Sequence, residues 1–184
     1  MIIPEKLKAI LSNSYIRVLM LLIPFYCFEG FLLKPFIREH YLKTDLDAFK
    51  IDSWKYIFMI TAVIAIVIII LSKAKKISQI IIVIILSTIL TFSLKSLISN
   101  ILLFINYHTE ISQTVQTYEI ISHKKAMVFW LNAGKNNSIY EDGEIHLIDK
   151  KRKTKDLKSI FEYKTGDTVK VKLKKGIFNV NYLN

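Results

Sequence analysis

The sequence predicts three transmembrane helices followed by a small all-β C-terminal domain, sandwich- or barrel-like. Three observations predict it. Two charge-free apolar runs, Ile57–Leu71 and Ser78–Leu94, are joined by the basic turn Ser72–Ile77. A mean hydropathy of +0.36 coexists with a net charge of +11, so apolar and charged residues are segregated along the chain. After residue 113 apolar and polar residues alternate with a period of two, the pattern of half-buried strands.

At 184 residues the chain has room for a small domain beside membrane spans. Residues 1–106 hold nearly all the long Ile/Leu/Val/Phe runs, and residues 107–184 are polar and lysine-rich. The boundary is therefore predicted near Asn106 and Tyr107. The lone cysteine, Cys27, excludes an intramolecular disulfide and a cysteine-based zinc site.

A bilayer core of about 30 Å takes about 20 helical residues. The first span is predicted over 18–36; it contains Pro24, which kinks a helix, together with Glu29 and Lys34. No small-x-small cleavage pattern follows it, so it reads as a retained span and not a signal peptide. The second span is predicted over 54–72, with Trp54 and Tyr56 where an aromatic belt lies. The third is predicted over 78–97, with apolar character continuing to 106. That stretch is too long for one upright crossing, so the helix tilts or emerges along the membrane surface. Residues 2–11 are weakly amphipathic, and a short interfacial helix is expected there.

Lysine and arginine placement sets the orientation. Lys6, Lys8 and Arg17 precede the first span, and Lys73, Lys75 and Lys76 crowd the short turn. The 34–55 loop carries five basic residues diluted by Glu39, Asp45, Asp47 and Asp52. Charge density in the turn decides for a cytoplasmic N-terminus and a periplasmic C-terminal domain, in a bacterial inner membrane.

In the C-terminal part, Asp142-Gly143 suits a two-residue hairpin turn whose central residues need positive φ. That register sets Tyr140 opposite Ile145. Strands are predicted near 114–121, 126–131, 137–141, 144–148, 158–163, 167–174 and 177–183. In the sixth, Val169, Val171 and Leu173 point inward and Thr168, Lys170 and Lys172 outward. Such a core is marginal without disulfides. Packing against the membrane segments, or homo-oligomerisation, would help it.

Two basic constellations are candidate contacts for a partner or for lipid. Lys150, Lys151, Arg152, Lys153 and Lys155 fall in a predicted hairpin loop, and Lys170, Lys172 and Lys174 form a row on one strand face. Lysines near an anionic surface contribute about 1 kcal/mol each. Head groups of the lipid bilayer or an acidic protein would suit them; the plainer reading is a solvated strand face. Nucleic acid is not expected, because no aromatic interleaving marks a base-stacking platform. Glu29 is the single acid within a predicted span, a placement that costs about 3 kcal/mol unless it is paired or neutral. Lys95, near the end of the third span, is a candidate partner. His146, Glu141 and Glu144 share a hairpin face, which on a solvated strand is an ordinary arrangement. No HExxH, GxGxxG, P-loop or GxSxG pattern occurs, so neither catalytic residues, a metal nor a cofactor is expected.

The closing segment Gly166-Asp167-Thr168-Val169-Lys170-Val171-Lys172-Leu173-Lys174-Lys175-Gly176-Ile177-Phe178-Asn179-Val180-Asn181-Tyr182 resembles the tail of small uncharacterised bacterial inner-membrane proteins with a C-terminal β-domain. Asn179 stands where those proteins often carry glycine. In size and layout the chain is similar to immunity proteins, which protect a bacterium against a toxin delivered by its neighbours. The resemblance implies a binding protein whose β-domain engages a toxin, an envelope protein or the membrane surface. An accessory subunit of a transporter or channel is the alternative, and a membrane enzyme the least expected.

Overall fold

The structure is a computed structural model, and it describes residues 23–123, 128–132, 138–140 and 143–183. The described elements run α1 (Lys34–His40), α2 (Lys43–Asp52), α3 (Trp54–Ser72), α4 (Ile77–Ser93), α5 (Lys95–His108), β1 (Glu110–His123), β2 (Val128–Asn132), β3 (Ser138–Tyr140), α6 (Gly143–Lys153), β4 (Thr168–Gly176) and β5 (Asn181–Leu183). They divide into two compact units. Unit 1 takes Met1–Ile37 and Tyr56–Ile101; unit 2 takes Arg38–Lys55 and Leu102–Asn184.

Unit 1 is helical throughout its described length, apart from short turns. Residues 23–28 are helical and run into a π-helical turn at Glu29–Leu33, then α1. The apolar side chains of α3 and α4 face outward: Phe58, Val63, Ile66, Ile82, Ile85 and Ile89 are each at least half exposed. The buried positions are Ile57 and Ala65 on α3 and Ser87 and Thr91 on α4. The hydroxyls of Thr61, Thr88, Thr91 and Ser93 each donate to the carbonyl four residues earlier, at 2.8–2.9 Å. That bond satisfies each hydroxyl within its own helix.

The three-span expectation is corrected. Among the described residues only α3, with 19 residues, is by itself long and apolar enough to cross a membrane. α4 and α5 pass that test only together and are bent by 65° at Leu94, whose φ of −96° and ψ of 8° end the first helix. Of the expected first span, residues 18–22 lie outside the described residues, as does the expected interfacial helix; the described remainder is broken by the π turn.

The all-β expectation is corrected as well. Unit 2 is α+β: a five-stranded antiparallel sheet, order β3-β2-β1-β4-β5, with helices. The two outermost strands have only three residues each. The core gathers Tyr118, Ile120, Leu131, Val169, Val171 and Leu173 from the sheet with Ile145 and Ile148 of α6, Ile160, and Leu42 beside α2. The opposite face of β1 and β4 carries exposed Val115, Lys170 and Lys172, as an antiparallel sheet with one solvated face does.

Two predicted strands are not strands. Residues 144–148 belong to α6, and 158–163 hold a 3-10 turn at Ile160–Glu162. Ile145, Ile148, Asp149 and Arg152 recur at helical spacing and are the buried positions of α6. Glu144 in its first turn and Lys150, Lys151, Arg152 and Lys153 in its last complement the helix dipole. The basic run is therefore a helix end and not a hairpin loop. β5 is shorter than the predicted 177–183, because residues 176–180 form a tight turn in which Asn179 adopts φ of 63°.

Asn106 anchors that turn. Its amide nitrogen donates to the Tyr41 hydroxyl (3.1 Å) and the Val180 carbonyl (3.0 Å), and its oxygen accepts from the Phe178 N–H (2.9 Å). The Tyr41 hydroxyl in turn donates to the Leu103 carbonyl at 2.6 Å. Fully buried, Asn106 ties the end of α5 to the β4–β5 turn.

Candidate functional site

Unit 2 contains a cleft of about 990 Å³ lined by α6, the chain after it, β1, β4 and Leu183 of β5. β1 pairs with β4 from Gly176 through Thr168, whereas β5 covers only residues 173–175 on the other side. Beyond that pairing, among the described residues, no strand lies against β4. The last turn of α6 stands beside this uncovered edge, and Arg152 Nη1 donates to the Lys170 carbonyl at 3.2 Å.

The cleft gathers basic residues from both sequence constellations. Lys151, Arg152 and Lys155 come from α6 and its end; Lys170 and Lys172 come from β4. No acidic residue is among its lining. Lys151 and Lys155 meet there because they stand four residues apart at the end of a helix, a spacing that the hairpin-loop reading hid. Leu157, Val115 and Tyr163 add apolar surface that sequence reasoning did not single out. Their separation in the chain gives no local signal.

Arg152 is the deepest of these cations, 9 % exposed. Its Nε and Nη2 donate to the Lys158 carbonyl (3.2 and 3.1 Å), and Nη2 also to the Tyr163 hydroxyl (3.1 Å). The guanidinium lies 5.7 Å from the Tyr163 ring centre. Every one of these partners is neutral. Buried charges are ordinarily matched by an opposite charge; here, among the described residues, hydrogen bonds are satisfied but the positive charge is not. Arg152 is thus not the free surface contact expected from the sequence. Burial first, with repulsion from Lys150 and Lys155, holds the Lys151 amine below the usual lysine range against the pull of Glu39.

The other three cations of the sequence-level set are paired with acids. Lys150 bonds Glu39 at 2.6 Å, Lys153 bonds Asp149 at 2.8 Å, and Lys174 bonds Glu110 at 2.8 Å. Asp149 is buried and also accepts from Ser159 Oγ (2.8 Å) and the Ile160 N–H (2.7 Å). Burial alone would raise its carboxyl, but Lys153 and these donors outweigh burial and hold it low. Of the three residues expected to share a hairpin face, Glu141 lies outside the described residues. His146 stacks near Phe161 at 5.1 Å, and Glu144 accepts from the Lys43 N–H.

Unit 1 holds a separate polar centre at Glu29, 2 % exposed. Its Oε1 accepts from Ser96 Oγ and from Asn100 Nδ2 (3.1 Å). Its ion-pair partner is Lys34, at 3.2 Å, and not Lys95. The π turn explains the choice: a ring of five residues stacks Lys34 over Glu29, and the Lys34 N–H donates to the Glu29 carbonyl. Lys95 is half-buried at the start of α5. This centre fastens the π turn to the first turns of α5 and neutralises its own charge.

Set against models of known protein families, curated proteins and solved structures, the chain has no match in any of the three comparisons.

Proposed function

We propose that the chain is a membrane-anchored binding protein, not a catalyst, and that its α6–β4 cleft holds an anionic partner. The observation that carries the binding half is Arg152, a buried guanidinium whose partners among the described residues are all neutral, facing a cleft with four lysines. An anion entering there meets a charge already desolvated, so the attraction is stronger than at an exposed lysine.

The anchoring half rests on α3 and α4. α3 is apolar all round, and only 11% of its most apolar window is buried. A surface of that kind is expensive in water and free of cost in hydrocarbon. Chain connectivity agrees: Arg38–Lys55, which leads into α3, and Leu102–Asn184, which begins within α5, belong to one unit. A hairpin that enters a bilayer and returns would produce that. By the positive-inside rule Lys73, Lys75 and Lys76 put the turn in the cytoplasm, and so unit 2 in the periplasm of a bacterial inner membrane.

The test uses the full chain in detergent with fluorescein-labelled poly-L-glutamate, read by anisotropy. Binding is expected at low salt, and the Lys170→Glu, Lys172→Glu double variant should weaken it at least about tenfold. Both residues are exposed, so the fold should survive, which circular dichroism checks. Equal affinity for the two proteins would overturn the reading. A C-terminal alkaline phosphatase fusion tests the side: activity supports the periplasm, and its absence with a fluorescent cytoplasmic fusion overturns that assignment.

A further inference from the structure

α5 is apolar on two sides. Leu102, Leu103 and Asn106 are buried, and Asn106 fastens that side to the β4–β5 turn. The other side carries Ile101, Phe104 and Ile105, all exposed, at the spacing of one helix face. Single exposed apolar residues are ordinary, but a helix apolar on both sides is one that is covered on both.

Two more exposed isoleucines meet the end of this face. Ile111, 68% exposed, is the extra residue of a β-bulge: Glu110 pairs with Gly176 and Ser112 with Lys175, so nothing stands opposite it. A bulge re-aims a side chain that regular pairing would place elsewhere. Ile177, 56% exposed, follows Gly176 into the β4–β5 turn. The Thr109 hydroxyl joins the pieces. It donates to the Ile105 carbonyl (2.8 Å) and accepts from the Ile177 N–H (3.4 Å). Phe104, Ile105, Ile111 and Ile177 thus gather at one end of unit 2. The ion pair beside them, Lys174 with Glu110 at 2.8 Å, cancels its own charge. Tyr107 packs on His40 and Tyr182 next to it, with ring centres 4.5 and 4.9 Å apart.

We infer that this end of unit 2 rests in the bilayer surface, with these four side chains sunk below the lipid head groups. Continuity says what covers it. α5 starts one residue after α4, whose apolar side chains face outward, and turns 65° from it. A helix that leaves a membrane-embedded one at that angle runs nearer the membrane plane than its normal. An interfacial helix sinks its apolar face about 5–10 Å, to the boundary of head groups and acyl chains. Tyr107 then meets the head groups, the level that amphipathic aromatics prefer. The inference rests on the anchoring reading above and extends it from the apolar hairpin to the domain that follows. The contact is made by apolar side chains and not by the lysines, so it needs no anionic lipid. Thr165 serves as the distant reference: β4 runs nine residues from Thr168 to Gly176, which puts about 30 Å of strand between Thr165 and Ile177.

The experiment uses the full chain in neutral phosphatidylcholine discs. Cys27, which is exposed, is replaced by Cys27→Ser, so that one introduced cysteine carries an environment-sensitive fluorophore. The labelled variants are Ile111→Cys, Ile177→Cys, Thr165→Cys and, on α3, Val63→Cys; all four positions are exposed. A nitroxide near the top of the lipid acyl chain should quench the label at Ile111→Cys and Ile177→Cys, and aqueous iodide should not. At Thr165→Cys the order should reverse. A deeper nitroxide should quench Val63→Cys. Lipid quenching at Val63→Cys with iodide quenching at Ile111→Cys and Ile177→Cys overturns the inference and leaves the anchor intact. Absence of lipid quenching at all four overturns both. Protection of Ile111→Cys and Ile177→Cys from both quenchers makes the cover protein, such as a second copy of the chain, and overturns the lipid surface. The native chain gives a measurement that needs no substitution. Photoactivatable phosphatidylcholine should leave adducts on residues 104–111 and on Ile177; adducts confined to α3 and α4 overturn the inference.

Discussion

At Asn106 a single side chain closes three hydrogen bonds, and the backbone beside it leaves no room for a Cβ at Gly176. A carbon built there would stand 1.9 Å from the Asn106 carbonyl oxygen and 2.6 Å from its Cγ. Gly176→Ala must push β4 away from α5, at a cost of about 3 kcal/mol. Gly166 is the control. It has open space around it, and Gly166→Ala meets only the penalty of φ +89°, about 1 kcal/mol. Hydrogen exchange of the β4 and β5 amides should rise far more in the first variant. Asn179 belongs to the same turn; asparagine tolerates its left-handed backbone, so the sequence-level remark that glycine is usual there has a physical cause. Asp45 offers a pH-dependent case. Burial first, and Glu144 after it, raise its carboxyl from 3.8 to about 6, against Asn181 and Lys175. A carboxyl raised on folding means that the folded chain holds the proton more tightly. Its stabilising effect is complete below the ordinary value and is lost as pH rises through about 6. Asn181 Nδ2 donates to Asp45 Oδ1 at 3.1 Å, while Asn181 Oδ1 is buried without a partner among the described residues. Asp45→Asn supplies a donor for that oxygen without a proton. Thermal unfolding should show this variant more stable than the native chain at pH 8, with the gap closing towards pH 4.

α6 shows where an element becomes ambiguous in sequence. Ile145, Leu147 and Ile148 satisfy both periods: 145 and 147 share a strand face, 145 and 148 a helix face. Asp142-Gly143 tilted the sequence reading towards a hairpin. What it hid is tertiary. Ile148 is 1% exposed and packs with Ile120, Val169 and Ile160, whereas Leu147 is only partly buried against the same cluster. The two readings separate experimentally. Ile148→Ala should cost about 3 kcal/mol as a core cavity, and Leu147→Ala distinctly less; denaturant midpoints of the two variants give the order, which a strand would reverse. By contrast β4 was legible almost residue by residue. Its burial alternates strictly from Thr168 to Leu173, because one face meets a core and the other solvent. The candidate site fell between these cases. All five of its cations were singled out from the sequence, as two separate clusters. Their meeting depends on α6 being helical and on its end lying beside β4, neither of which leaves a local pattern. Sequence charge counting was also blind to which lysines are paired, since Glu39 and Glu110 reach them through the fold and Asp149 reaches Lys153 only once α6 is helical.

Over the whole molecule the +11 charge and the apolar surface are held apart, as their segregation in the sequence implied. Cations collect in unit 2 and in the α3–α4 turn. The outward apolar residues collect on α3 and α4, where the small side chains Ala65, Ser87 and Thr91 are turned inward. The number of crossings was not legible, because hydropathy averages over Leu94, where the backbone breaks, and over Glu29–Leu33, where it changes helical type. What remains of the membrane reading is testable on α3. Val63 and Ile66, 55% and 56% exposed, lie one turn apart near its centre. Each arginine placed at that depth costs about 3 kcal/mol of insertion free energy, so Val63→Arg with Ile66→Arg costs about 6 kcal/mol. The native chain should stay in the membrane pellet after alkaline carbonate extraction, and the double variant should leave it. Ile51→Arg controls for a general effect of charge: Ile51 is 76% exposed, but it stands on α2 in unit 2. That variant should pellet like the native chain. A native chain that carbonate releases, or a double variant that stays behind, would mean that the exposed apolar face of α3 is covered by protein and not by lipid.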